Sequence, residues 1–600
     1  MISALLILLV SALLCAALGF LPRWAVLARI PAVLGAAAAL AVALLREGLQ
    51  GGGLAGAIIS WPQALSWLGE PLYRSDTLSA GLGLWCLLAG GVCLMRIGEG
   101  QNVPRQLAIA LLTLATLYSI TYTQHLLAFA GQVLLLSLLV WAYHAWDASQ
   151  QGQVGNGRYL ATFGLGAITL LGAVLLIGRT TGGAYYLADL SLSALTVWPL
   201  SLMALFATLW LGMAPFTGWS GQDHNGAHGA LVQALVLGVP ASMLLLRLQA
   251  LITSQSLAGT VPPEWAGFTS ALVWLGGITS VVAAAGMLVW AVTPRWTALL
   301  TAHTLGLVVW ALGLDNPASR TAALSILLAF GAARVCMTLS PRLASIQGWS
   351  RLPRLVAMSS VAAVPLTPGF VGVWLLASSL AGTGHPSLAV LLLGAVILAA
   401  CGTALRVAAP RPLDTPQTPY PQYLAWASMA AGSALLLAGV LPGWWLPQVE
   451  TMAGIAGGAP PVALPWVGVQ AGDALLPLLL LAGGTALLAG VGWLVVSWAR
   501  AGVSVSGVLL PTALNRLAKS DLPPREGEHA EAPINGLLSN PPAAIWWLSL
   551  SWLESGIWGF GALLSRLGVR TGGLLERLEG RFYLPLALIL TLLIILIVSR

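Results

Sequence analysis

A chain of 600 residues that is 58% hydrophobic and only 8% charged has too little polar surface to cover a water-soluble globule, and its mean hydropathy of +0.88 agrees. The net charge of +7 rests on arginines spread along the chain, with one lysine, Lys519, and no basic cluster interleaved with aromatics. That pattern suits loops facing anionic lipid, so no nucleic-acid partner is expected. Five cysteines, none in a CxxC pair, give no reason to expect a redox or metal centre.

A helix crossing the roughly 30 Å hydrocarbon core needs about 20 apolar residues. In chain order such runs are predicted at 2–21, 24–45, 78–97, 105–121, 125–146, 159–178, 195–214, 228–248, 266–291, 297–313, 320–338, 354–381, 386–407, 422–442, 476–498 and 582–598. The fold class is therefore all-α, a polytopic membrane helix bundle. The first run lacks a basic start and a convincing cleavage site, and is expected to be a retained span rather than a signal peptide. Tryptophans gather near span ends, as at Trp61 and Trp67 or Trp444 and Trp445, where an amphipathic ring suits the headgroup region.

Arginine placement predicts orientation. With the N-terminus outside, the odd-numbered connections through the thirteenth carry Arg23, Arg29, Arg96, Arg105, Arg158, Arg295, Arg342, Arg351, Arg354, Arg406 and Arg411. The even-numbered ones carry Arg46, Arg74, Arg179, Arg247 and Arg320. Eleven against five fits the positive-inside rule, with the loop 443–475 outside.

After a transmembrane core, 1–498, the polar stretch 499–544 holds Lys519, Asp521, Arg525 and several prolines, and reads as a cytoplasmic linker. Residues 545–581 mix tryptophan and leucine with charges too frequent for a span, which predicts a lateral amphipathic helix; a terminal span, 582–600, follows.

Helix breakers interrupt several spans at membrane depth, most clearly the twelfth, with Pro365, Pro368, Gly369 and Gly372 mid-run. A proline kink accounts for such a pattern; so does the broken helix of an ion path, because proline frees carbonyls that must be satisfied inside protein or by water.

The surrounding residues narrow the choice. AVPLTPGFVGVW, 363–374, resembles the broken-helix signature of the antiporter-like membrane subunits of respiratory complex I, Mrp-type cation/proton antiporters and membrane-bound hydrogenases, with Pro365, Gly369, Phe370 and Gly372 matching. PFTGW, 215–219, is similar to the segment after that family's first broken helix and keeps Pro215, Phe216 and Trp219. ALVQALVLGVPASMLLLR, 230–247, PRWTALLTAHTLG, 294–306, and LAFGAARVCMTL, 328–339, resemble the segments that follow, in order. The resemblance covers about 120–407 and implies a core of about 14 spans with broken helices at the seventh and twelfth.

It also implies a polar axis of one glutamate and several lysines or histidines at the bilayer midplane, and there the chain departs. Gln132 stands at the glutamate position; Trp210, Gln233, Pro294 and Val373 stand where the family has lysine or histidine, and Arg334 replaces a lysine. Buried lysine titrates near neutrality, arginine stays protonated, and glutamine, tryptophan and valine do not titrate. The candidate proton path is thus reduced to His303, Arg334, Gln132, Gln233 and Arg295, with His303 expected to approach Arg334. His125, His144, His224 and His228 lie near span ends, and the Asp223/His224/His228 group is weak as a metal site.

The resemblance implies a non-redox subunit of a complex I-type or hydrogenase-type assembly in the cell's plasma or inner membrane. It would carry no cofactor of its own, and flavin, iron–sulfur and quinone sites would belong to partner subunits. A non-transporting scaffold of the same fold is the alternative. A lipid-linked transferase is disfavoured, since Glu450 and Asp473 are isolated acids.

Overall fold

The computed structural model describes residues 2–20, 27–49, 58–59, 73–96, 103–150, 160–187, 190–213, 229, 231–256, 263–289, 295–340, 351–408, 422–454, 463–464, 468–471 and 474–477. They form an all-α membrane bundle. Its helices are α1 (Ile2–Leu18), α2 (Arg29–Leu49), α3 (Thr77–Leu94), α4 (Val103–Tyr122), α5 (Leu126–Gln150), α6 (Leu165–Thr181), α7 (Val197–Trp210), α8 (Val239–Ser256) and α9 (Pro263–Val289). Then come α10 (Arg295–Gly313), α11 (Pro317–Leu339), α12 (Leu352–Val361), α13 (Pro368–Gly382), α14 (Pro386–Ala408), α15 (Gln422–Val440) and α16 (Pro442–Met452). Among the described residues ten helical segments are long and apolar enough to cross a membrane.

Two π-helical turns, Leu160–Gly164 and Val232–Val236, precede α6 and α8. The stretch predicted as an outward loop, 443–475, contains α16, begun by Pro442 at its first turn, and strands β1 (Ala463–Leu464) and β2 (Gly468–Ala471) paired antiparallel. The predicted span 476–498, the linker 499–544, the lateral helix 545–581 and the terminal span 582–600 lie outside the described residues apart from 476–477, which end a strand pairing with β2.

Helix ends follow local chemistry. Asp76 caps α3, its carboxylate accepting from the Ser79 amide at 2.7 Å. Asn316 and Ser319 form a capping box at α11, with Pro317 inside the first turn. Core helices meet through small residues, as expected where lipid offers no hydrophobic drive to associate. A Cβ on Gly276 of α9 would collide with the Gly306 carbonyl and the Trp310 backbone of α10, and one on Gly313 would lie 2.6 Å from the Val273 amide. α8, α10 and α11 are almost wholly buried, whereas α1, α14 and α15 turn large apolar side chains such as Leu13, Val390 and Trp426 outward.

Candidate functional site

The twelfth run is two helices. α12 ends at Val361 and α13 starts at Pro368, and between them Ala363 (φ 54) and Leu366 (φ 67) take left-handed backbone conformations around Pro365. Such values are costly for residues with a Cβ and persist only where the surroundings impose them. Freed carbonyls find side-chain donors: Thr304 Oγ1 of α10 reaches the Val361 carbonyl at 3.2 Å, and Thr367 Oγ1 reaches that of Val364 at 2.6 Å. Gly369 is needed because a Cβ there would strike the Ser360 carbonyl, and Gly372 because one would meet the Ile326 amide of α11 at 2.9 Å. Phe370, Val373 and Trp374 are buried, so an aliphatic side chain occupies the aligned lysine position.

Gln132, on α5, sits in a closed ring of neutral groups. Its Oε1 accepts from Thr123 Oγ1 at 2.8 Å, and its Nε2 donates to Ser119 Oγ at 3.0 Å and to Tyr73 Oη at 3.3 Å. Ser119 in turn donates to Tyr73 at 3.1 Å. The glutamate of the implied axis is thus replaced by a group whose hydrogen bonds are met without a charge.

Trp210 is fully buried at the end of α7 and links the two π-helical turns. Its ring stands edge-on to Phe163 of the first turn at 4.7 Å, and its indole N–H donates to the Val236 carbonyl of the second at 2.8 Å. π-Turns inside helices leave a carbonyl unmatched, and here an aromatic donor completes one. Gln233 is buried within the second turn.

Arg334 is 2% exposed on α11. Its guanidinium donates to Thr301 Oγ1 and to the Thr297 carbonyl on α10, and lies 5.5 Å over the Phe330 ring. His303 faces elsewhere: its Nδ1 is 2.9 Å from Ser280 Oγ of α9. Thr297 and Thr301 lie about 120° and 160° around α10 from His303, at 3.6 residues per turn. The expected approach of His303 to Arg334 is therefore corrected, because α10 separates the two contacts.

Arg295 opens α10, with its side chain outside the described residues, as are Pro215, Phe216, Trp219, Pro294, Asp223, His224 and His228. His125 caps the start of α5, its Nδ1 accepting from the Ala128 amide at 3.3 Å. Among the described residues no group of three His, Cys, Asp or Glu converges as a metal site.

Sequence reading missed one ionic site. Arg247, buried midway along α8, pairs with Asp76 at 3.5 Å and donates to Ser79 Oγ at 2.8 Å and the Thr121 carbonyl at 2.7 Å; Gln124 donates to Asp76 at 2.9 Å. The signals were an acid directly before a helix and an arginine closing an otherwise apolar run.

Together these features define a polytopic membrane protein whose core contains interrupted helices and buried polar clusters. No protein-family model matches the chain. It is 30% identical over 407 residues to NADH-quinone oxidoreductase subunit 14 of Thermus thermophilus, covering 64% of this chain and 90% of that protein. It superposes on a chain of respiratory complex I from Thermus thermophilus with bound aureothin at a TM-score of 0.58 and 25% identity, covering 75% and 99% of the two chains. A chain of the Mrp complex from Dietzia sp. DQ12-45-1b shares the fold at a TM-score of 0.65 and 19% identity, over 93% of this chain and 62% of that one. A chain of the membrane-bound sulfane sulfur reductase, an archaeal respiratory membrane complex, does so at 0.63 and 14%, over 75% and 96%. This protein belongs to the antiporter-like membrane subunit family of complex I, Mrp and membrane-bound hydrogenase-type complexes.

Proposed function

We propose that this chain is an antiporter-like subunit of a multisubunit complex I-type membrane assembly in which its own proton path is degenerate and its main service is structural. The observation that carries the reading is the neutral axis: Gln132 saturated by hydroxyls, Trp210 filling the space between the π-turns, and Val373 buried beyond the break. A path without groups of suitable pKa has few places to hold a proton. Arg334 remains charged, and hydroxyl, carbonyl and aromatic partners offset its burial without making it a proton carrier. Redox cofactors belong to partner subunits in this reading, and the N-terminus faces outward by the arginine asymmetry.

The test is proton pumping by the intact assembly in proteoliposomes, with His303→Ala or Arg334→Ala placed in this subunit. Unchanged stoichiometry in both is expected. Full loss of pumping in either, with the assembly intact, would show a working relay instead. Cysteine labelling from outside, in a background without the native cysteines, should mark position 460 and spare 520; the reverse pattern overturns the orientation.

A further inference from the structure

The turn between α10 and α11 gathers buried polar groups that the polar axis does not use. Asp315 stands just past the end of α10 at φ 49, a position that normally favours glycine, and its Oδ2 accepts from Trp265 Nε1 of α9 at 2.8 Å. Aspartate tolerates this backbone better than most residues, since its short polar side chain can bond locally. Arg320, one turn into α11, acts electrostatically on Asp315 and donates from Nη2 to Thr253 Oγ1 of α8 at 3.1 Å. One turn earlier on α8, Gln249 donates from Nε2 to the Leu312 carbonyl, and Thr253 Oγ1 bonds the Gln249 carbonyl at 2.8 Å. Four helices therefore converge on one small polar cluster.

Three atoms of that cluster are buried and meet no hydrogen-bond partner among the described residues: Asp315 Oδ1, Gln249 Oε1 and Arg320 Nε. Turning the Gln249 amide over does not help, because its oxygen would then face the Leu312 carbonyl. Buried polar atoms are seldom left unmet, because each then bears its full desolvation cost. The three are two acceptors and one donor. A water molecule supplies two donors and an acceptor, and about three hydrogen bonds is the usual complement of a buried water. A bound cation would be opposed by Arg320 and a bound anion by Asp315, so a neutral ligand fits the set best.

We infer that the α10–α11 turn holds a structural water bridging Asp315, Gln249 and Arg320, and that this water makes Asp315 a proton-exchanging carboxylate at the edge of the bundle. The inference is independent of the proposed function, since it concerns exchange at one end and not passage along the axis. Burial raises the Asp315 carboxyl above its ordinary range, opposed by the Trp265 hydrogen bond and by Arg320. The charged groups on the packed elements at this end are Arg320 of α11 and Glu264 at the start of α9; the last two turns of α8 and α10 carry none.

The experiment is infrared difference spectroscopy of the intact assembly, titrated in H2O and in D2O, comparing wild type with Asp315→Asn and Gln249→Leu. Asparagine suits the left-handed turn, so Asp315→Asn should leave the fold in place. A protonated-carboxyl band lost in Asp315→Asn and shifted by D2O within the mixing time is expected. Gln249→Leu, which removes one of the water's acceptors, should retain the band and slow that shift about tenfold, roughly the worth of one hydrogen bond. Absence of any band lost in Asp315→Asn, a band that exchanges as slowly as the core amides, or an unchanged rate in Gln249→Leu would each overturn the inference.

Discussion

The two halves of the buried axis solve the same problem differently. In the half around α5, α7 and α8 the aligned positions are neutral, and Gln132 and Trp210 are tied by hydrogen bonds of 2.8–3.3 Å to hydroxyls and one carbonyl. In the half around α10 to α13 a permanent charge stands at Arg334, held by Thr301, the Thr297 carbonyl and the Phe330 face, while Val373 is buried within α13 beyond the break. The contrast teaches that a buried polar site can be satisfied in two ways. Around Gln132 an amide and hydroxyls close on one another, whereas at Arg334 a hydroxyl, a carbonyl and a ring face hold a guanidinium.

The largest test of the contrast is Trp210→Ala. Truncating a fully buried indole that joins two π-turns opens a cavity and strips the Val236 carbonyl of its donor. A cost of about 3–5 kcal/mol is expected, seen as a large fall in the thermal midpoint of the purified assembly. A shift of only a degree or two would mean that the π-turns hold themselves and that Trp210 is mere filling.

Arg334 comes next, and two substitutions separate its charge from its bulk. Arg334→Ala should cost about 2–4 kcal/mol through lost packing on Phe330. Arg334→Met should be close to neutral, since a well-packed apolar chain often replaces a buried charge without loss. Thr301 would not be stranded, because its hydroxyl already bonds the Thr297 carbonyl at 2.8 Å. If methionine proves as damaging as alanine, the charge itself is needed, and the two halves differ in function as well as in chemistry.

Much of this was legible in the sequence because membrane helices leave a strong length and hydropathy signal, and because Pro365, Pro368 and Gly369 mark a break that physics makes hard to avoid. Gln132 and Val373 could be read as neutral residues at positions where the family resemblance implies a charge. Their partners could not: the Tyr73, Ser119 and Thr123 ring joins separate elements, and hydroxyl residues carry little positional signal. Nor could the separation of His303 from Arg334 be read, since it depends on which faces of α10 meet α9 and α11. The Asp76–Arg247 pair was hidden because its members stand 171 positions apart. α16 was missed because Pro447 inside an 11-residue helix reads as loop.

A smaller effect is expected at Gln132. Gln132→Leu removes the amide, but Ser119 still donates to Tyr73 and Thr123 still bonds the Ser119 carbonyl at 2.9 Å. The ring should partly reclose, at a cost of about 1–2 kcal/mol, with pumping by the assembly unchanged. Loss of pumping at wild-type stability would show that the neutral half still conducts, through water ordered by this amide.

The smallest effect belongs to Glu450 of α16, and it asks what a buried carboxylate outside these two regions costs the fold. Glu450 is 6% exposed, its Oε1 is buried and meets no hydrogen-bond partner among the described residues, and burial pushes its carboxyl above the usual glutamate range. A raised value means that the folded state binds more protons than the unfolded one between the ordinary and the raised pKa. Stability therefore falls as pH climbs through that window and levels off above it, where ionised Glu450 is a burden to the fold. Glu450→Gln removes this slope and should be equal to or about 1 kcal/mol more stable than wild type above the window, while below it the two should converge. Thermal midpoints of the intact assembly across that pH range measure the difference directly. A variant less stable than wild type at high pH would mean that the Glu450 carboxylate is held by a cation, and that acids persist in this subunit where a partner compensates them.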